Sequence, residues 1–288
     1  MEVLYGLHPV SEALKAGRRR FDHVLVARER HDERLDRVIS QCRDAGIRVR
    51  EESREQLTLA ANTPAHQGVV ALVRPQEFLT IEDLFTPDPA SNKSPEGKSP
   101  AGKSAALLVL ALDGVEDPQN LGALLRVADG AGVDGVLLTE RRSAPLSPAA
   151  VKASAGAAEH LRIARVVNLV RSLEELKKHN LWIVGLDAGV TERGLTPYDQ
   201  FDFTGDLVIV LGSEGAGLHD LVRRTCDHLL HIPMAGGVSS LNVSAAGAVV
   251  LFEAARQRRA AADSPVLQKA APRSGTGAPR KKQKGLGS

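Results

Sequence analysis

Six apolar runs dominate residues 105–233 of this chain: AALLVLAL (105–112), GVLLT (135–139), LRIARV (161–166), LWIVGLD (181–187), LVIVLG (207–212) and HLLHIP (228–233). A strand with one face in water alternates apolar and polar residues. A strand apolar throughout is covered on both faces, as in a parallel sheet flanked by helices. Helical stretches at 118–131, 168–180 and 241–259 separate several of the runs. The pattern predicts an α/β domain with a mostly parallel sheet over residues 105–262.

Residues 1–75 repeat the alternation on a smaller scale: VLYG, HPVSEALKAG, DHVLVA, DERLDRVISQCRDAG, IRVRE, SREQLTLAA and GVVALV. Leu35, Val38, Ile39 and Cys42 fall at helical spacing and define one core-facing stripe. This predicts a small α/β domain. Its run Arg18, Arg19, Arg20 reads either as phosphate-contacting forks or as a solvated turn.

Residues 76–104 join the two as an expected flexible linker, in which KSPEG, KSPAG and KS recur every five residues. Within it GKSPAGKS (97–104) matches the phosphate-binding pattern G-x-x-x-x-G-K-[ST] through Gly97, Gly102, Lys103 and Ser104. That loop needs a strand before it and a helix after it. Here the strand follows and low-complexity sequence precedes, so the match is a by-product of the repeat.

Net charge is +2, but residues 263–288 carry +5 and leave −3 on the rest. A basic, disordered tail on a nearly neutral body suits an anionic partner such as nucleic acid, or simply solubilises the chain. Two cysteines, Cys42 and Cys226, make no disulfide framework. With no recognisable leader and no run of 18 apolar residues, they imply a cytoplasmic setting and no membrane partner. The nine histidines show no ligand spacing, so no metal is expected.

Three loops of the second domain hold the candidate chemistry. LDGVEDPQNLGALLRVADGAG (112–132) starts a helix at Asp117–Pro118, with Asn120 in the first turn and Arg126 six residues on. VLGSEGAGL (210–218) follows an apolar strand and surrounds Ser213 and Glu214 with glycines, at the strand end where α/β sheets bind ligands. It is neither a dinucleotide fingerprint nor a nucleophile elbow. IPMAGGVSSLNVSAAGAVVLFEAARQRR (232–259) leads from a glycine pair through Ser239, Ser240, Asn242 and Ser244 into a helix apolar on nearly every side over 243–255. Such a helix needs burial in its own domain or against a second copy. The serines and asparagine serve equally as helix caps or as pocket lining.

In this order and wording the three loops resemble the motifs of the SpoU/TrmH-type RNA ribose 2′-O-methyltransferases of the SPOUT superfamily, over residues 112–256. YGLHPVSEAL and HQGVVALV resemble the subgroup that methylates a guanosine in large-subunit (23S) ribosomal RNA. The resemblance implies a parallel-sheet SPOUT domain with a C-terminal trefoil knot, preceded by a small α/β RNA-binding domain. It implies a homodimer and S-adenosylmethionine as cofactor, contacted by Gly212, Ile232 and Leu241. It places the functional positions on Asn120, Arg126, Glu214, Ser240 and Asn242. The partner is RNA, as ribosomal RNA or a ribosome precursor, and no DNA is expected. The same motifs also serve transfer RNA ribose methylation, and a non-catalytic RNA-binding protein would keep the first domain and the tail.

An arginine at the position of Arg126 is often assigned as the base in that family. A guanidinium stays protonated to pKa values above about 12, so Arg126 is read here as a clamp on the phosphate beside the target ribose. The proton then leaves to that phosphate, to water or to Glu214, while Asn120 and Asn242 orient the groups.

Overall fold

The computed structural model describes residues 1–86, 106–188 and 195–263; the P-loop-like segment and the basic tail beyond Asp263 lie outside them. The first domain runs β1 (Glu2–Tyr5), α1 (Leu7–Ala16), β2 (Phe21–Ala27), α2 (Glu33–Asp44), β3 (Arg48–Glu52), α3 (Arg54–Ala61) and β4 (Val69–Val73). Its sheet has the order β1-β4-β2-β3, antiparallel except for the β2–β3 pair. Asp32 starts α2 by accepting from the amides of Arg34 and Leu35, and the stripe Leu35, Val38, Cys42 is buried. Burial pushes the Cys42 thiol up to about 11, which makes it an inert core residue.

The second domain runs β5 (Leu108–Asp113), α4 (Pro118–Ala131), β6 (Gly135–Thr139), α5 (Pro148–Ala153), β7 (Ile163–Val166), α6 (Leu169–Lys178), β8 (Trp182–Leu186), β9 (Thr196–Pro197), β10 (Leu207–Gly212), α7 (Asp220–Thr225), β11 (His228–His231) and α8 (Val243–Asp263). The sheet order is β7-β6-β5-β10-β8-β11-β9, and every pairing is parallel. All six apolar runs are strands.

The covering on both faces follows from the side chains of the central strand. Leu207, Ile209 and Leu211 pack into one core with Leu124 of α4 and Val250 and Leu251 of α8. Val208 and Val210 pack into the other with Leu173 and Leu176 of α6 and Val222 of α7. Each such fully buried side chain contributes about 1.5–3 kcal/mol. In the β5–β10 register Asp113 lies opposite Gly212, so two of the three motif loops leave the sheet side by side. The carboxyl ends of β8 and β11 flank them, with Leu186 opposite both Leu211 and Leu230.

Two expectations need correction. Residues 76–86, read as the start of a flexible linker, are packed on the second domain. Leu79 bridges to Ala164, its amide donating to the Ile163 carbonyl at 2.9 Å, and Leu84 in a 3₁₀ turn at Glu82–Phe85 is buried against Gly135. The segment supplies apolar residues that cover the otherwise open edge at β7. Arg19 is neither a solvated turn residue nor free for phosphate. It is 8% exposed, and its Nε and Nη2 fork onto Glu159 at 2.7 and 3.1 Å while Nη1 holds Glu2 at 2.7 Å. Burial opposes the guanidinium charge, but the two carboxylates outweigh it and raise the Arg19 pKa. With Lys152 Nζ donating to the Ala65 carbonyl at 2.9 Å and His160 paired with Glu12 at 2.8 Å, this cluster joins the domains. Helix α8 is buried along one face only, through Val243, Gly247, Val250, Leu251, Ala254 and Ala255, and leaves Phe252 46% exposed.

Candidate active site

Gly212 ends β10, and the chain turns back so sharply that a Cβ there would lie 2.1 Å from the Gly217 carbonyl carbon. The turn closes with Ser213 and Gly217 exchanging both backbone hydrogen bonds at 3.0 Å, and Gly217 takes a φ of 70° that only glycine adopts freely. This places Glu214 at the tip of the loop, over the N-terminus of α4.

Asp117 caps α4 by accepting from the Gln119 amide at 3.1 Å, and Pro118 fills the first helical position. Asn120 therefore stands in the first turn. Its Nδ2 donates to Glu214 Oε1, and its Oδ1 accepts from Asn242 Nδ2 at 3.0 Å. Asn242 caps α8, its Oδ1 accepting from the Ser244 amide and hydroxyl at 2.9 and 2.6 Å. Both roles weighed for that polar cluster, cap and pocket lining, are thus filled at once. Three loops far apart in sequence meet in one hydrogen-bonded chain, Glu214–Asn120–Asn242–Ser244.

Beside it lies a cavity of about 340 Å³ whose walls include Leu186, Gly212, Glu214, Ile232, Met234, Ser240, Leu241 and Asn242. It opens at the carboxyl ends of β8, β10 and β11, the position expected for a ligand site in a parallel sheet. Apolar walls for a ring and an aliphatic chain, with carboxylate, hydroxyl and amide groups at the rim, fit a small molecule that carries a nucleoside and polar ends. Of the sequence-derived positions, Gly212, Glu214, Ile232, Ser240, Leu241 and Asn242 line this cavity, and Asn120 is bonded to two of them.

Arg126 is not brought into the group. It lies about 1.7 turns along α4, about 9 Å in rise and about 120° around the helix from Asn120. It is exposed and absent from the cavity wall, and has no hydrogen-bond or ion-pair partner among the described residues.

Two further carboxylates stand at the same end of the sheet. Asp113, 5% exposed, accepts from the His219 amide at 2.8 Å and pairs with its ring Nδ1 at 3.0 Å, which fixes the loop after β10. Asp187 lines the cavity and accepts from Arg223 Nε at 2.6 Å. Sequence reading singles out neither Asp187 nor Leu186 and Met234; the available signal is only that they follow strands. Among the described residues no group of three His, Cys, Asp or Glu is placed to hold a metal, and no helix is long and apolar enough to cross a membrane.

A parallel α/β domain with its cavity behind a folded-back glycine loop is thus joined to a small α/β domain. The chain belongs to the SpoU rRNA Methylase family, which matches residues 107–252, while residues 3–79 match the RNA 2′-O ribose methyltransferase substrate-binding family. It is 43% identical over 257 residues to 23S rRNA (guanosine-2′-O-)-methyltransferase RlmB of Yersinia pestis, covering 89% of this chain and 98% of that one. To RlmB of Escherichia coli K12 it is 42% identical over 258 residues, 89% of this chain and 99% of the other. Among solved structures it resembles the SpoU methyltransferase AviRb of Streptomyces viridochromogenes in complex with AdoMet, with a TM-score of 0.70, 25% identity and 90% of each chain covered.

Proposed function

We propose that this protein transfers a methyl group from S-adenosylmethionine to the ribose 2′-hydroxyl of a guanosine in 23S ribosomal RNA. The observation that carries the reading is the Glu214–Asn120–Asn242 chain at the rim of the cavity. It occurs in a protein more than 40% identical, over about nine-tenths of its length, to enzymes named for that reaction.

When bound, the cofactor supplies an electrophilic methyl carbon on a sulfonium. Gly212, Ile232 and Leu241 hold it in the cavity, with Leu186 and Met234 as further apolar wall. Asn120 and Asn242 fix the orientation of Glu214 and of the incoming ribose, and Ser240 adds a hydroxyl at the rim. The 2′-hydroxyl would give up its proton to Glu214, to the adjacent phosphate or to water as the methyl–sulfur bond breaks and the cofactor is left as a neutral thioether. Arg126 clamps that phosphate. Alignment of this kind contributes up to roughly 7–11 kcal/mol.

The N-terminal domain (1–75) recognises RNA, and the domain organisation read from the sequence is kept with the linker shortened at its start. The protein works in the cytoplasm, where its substrate lies, as a homodimer that covers the exposed Phe252 face of α8. The trefoil knot belongs to the same reading. Its support is that Ile232, Met234 and residues 239–242 line the same cavity as Leu186 and Gly212 at the ends of β8 and β10.

Radiolabelled cofactor tests this reading against protein-free large-subunit ribosomal RNA and bulk transfer RNA. Label in alkali-resistant dinucleotides from the ribosomal RNA alone is the expected result, because a 2′-O-methyl blocks cleavage of the neighbouring phosphodiester. Base-methylated product, or label only in transfer RNA, would contradict it.

A further inference from the structure

The rim of the candidate site is acidic. Glu116, Asp117, Glu140 and Glu214 stand on loops at the carboxyl end of the sheet, where an RNA strand must approach. A polyanion meets repulsion there unless cations offset it. Several basic residues of the second domain are engaged elsewhere. Arg162 holds the carbonyls of Leu84 and Thr86, Arg258 those of Phe203 and Leu107, Arg223 the Asp187 carboxylate and Lys177 that of Asp227.

The loop after β6 brings two cations to this rim. Arg141 and Arg142 are both exposed, and neither has a hydrogen-bond or ion-pair partner among the described residues. The loop is tied to the site: the Ala144 amide donates to the Val115 carbonyl at 2.8 Å, one loop from Asp117. The Arg142 carbonyl lies 3.8 Å from the Cβ position of Gly114, which is itself 3.5 Å from Ser213 Cβ. Arg142 also sits at a φ of 54°, a left-handed backbone that disfavours arginine and favours glycine. Folding alone gives no reason for a bulky cation at that position.

We propose that Arg141 and Arg142 form a phosphate-binding pair on the active-site rim, which holds the RNA backbone flanking the target nucleotide. The proposal rests on the RNA methyltransferase reading. The two are positioning residues: they touch the strand, not the reacting atoms.

The test compares the parent protein with the double variant Arg141→Ala/Arg142→Gly and with Arg141→Lys/Arg142→Lys, on the same ribosomal RNA fragment. Glycine suits the φ of 54°, so the first variant relieves strain rather than adding it. Its RNA affinity should fall about tenfold at low salt, and its log–log salt slope should lose about 1.4–1.8, or roughly 0.7–0.9 for each phosphate contact. Calorimetric affinity for S-adenosylmethionine should stay within about twofold of the parent, and the dilysine variant should keep the parental slope. An unchanged slope in the Ala/Gly variant, with the parent still binding and methylating RNA, would overturn the pair and leave the enzyme reading standing. A loss that lysine does not restore would also overturn it. A parent that binds no RNA would overturn both.

Discussion

Asn242 donates its side-chain amide to Asn120 across 122 residues of sequence, at 3.0 Å, and thereby fixes which way Asn120 faces. With Oδ1 occupied as an acceptor, only the Asn120 amide nitrogen is left to meet Glu214, as observed. Asn242→Asp should reverse this arrangement. A carboxylate there still caps α8, since Asp is as good a cap as Asn, but it now demands a donor from Asn120 and turns its carbonyl toward Glu214. Single-turnover methylation should fall about 10²–10³-fold, the scale for losing one aligned donor, with no loss of thermal stability. A variant that keeps full activity would break the link between the relay and the chemistry.

Arg126→Lys separates a phosphate clamp from a base. Lysine keeps the charge and loses the planar fork, so the rate should fall by roughly 10²-fold or more at every pH, with cofactor affinity unchanged. If the arginine were the proton acceptor, lysine, with an intrinsic pKa of about 10.4, would deprotonate more easily and recover rate as pH approaches that value. Parallel pH–rate profiles support the clamp.

Removing Arg19 should act on stability rather than on chemistry. Arg19→Met strands Glu159, 1% exposed, without its partner. Breaking a buried pair on one side costs about 3–5 kcal/mol, whereas replacing both members is nearly neutral. Denaturant unfolding should therefore show a large loss for Arg19→Met and substantial recovery on adding Glu159→Met. Equal losses in the single and double variants would mean that the pair does not join the domains energetically.

Acid should weaken a set of contacts within α8. Arg256 forks onto Glu253 at 2.7 and 2.8 Å and Gln257 donates at 2.9 Å, which lowers the Glu253 pKa from 4.5 to about 2. A depressed carboxylate pKa stabilises the fold above its unfolded value; that stabilisation is lost as pH falls from about 4.5 through about 2. Glu253→Gln should be less stable at neutral pH and show a flatter stability profile across that window. An unaltered profile would place the acid sensitivity elsewhere.

Much of the fold is legible in the sequence because buried parallel strands write continuous apolar runs. The exceptions are informative. Strand β9 is two residues long and contains a proline, and α5 and α7 have six residues each, too few to show a period. Residues 76–86 are short on strand or helix signal, and what orders them is the edge of β7, a tertiary partner. Arg19 reads as solvated because its partner Glu159 is 140 positions away. The motif loops name Asn120, Glu214 and Asn242, but only the structure shows that they form one chain of hydrogen bonds. Asp187 escapes sequence reading because a single carboxylate at a strand end carries no local pattern, whereas the six-residue offset from Asn120 already sets Arg126 on another side of α4.

The most direct measurement is the position of the methyl group. Protein-free large-subunit ribosomal RNA, incubated with the full-length protein and labelled S-adenosylmethionine, is digested and the modified nucleotide is located by mass spectrometry. The expected product is a single 2′-O-methylguanosine at one position, absent when Asn120→Ala replaces the parent protein. Methyl groups on a base, on nucleotides other than guanosine, or at many unrelated positions would contradict the proposed function.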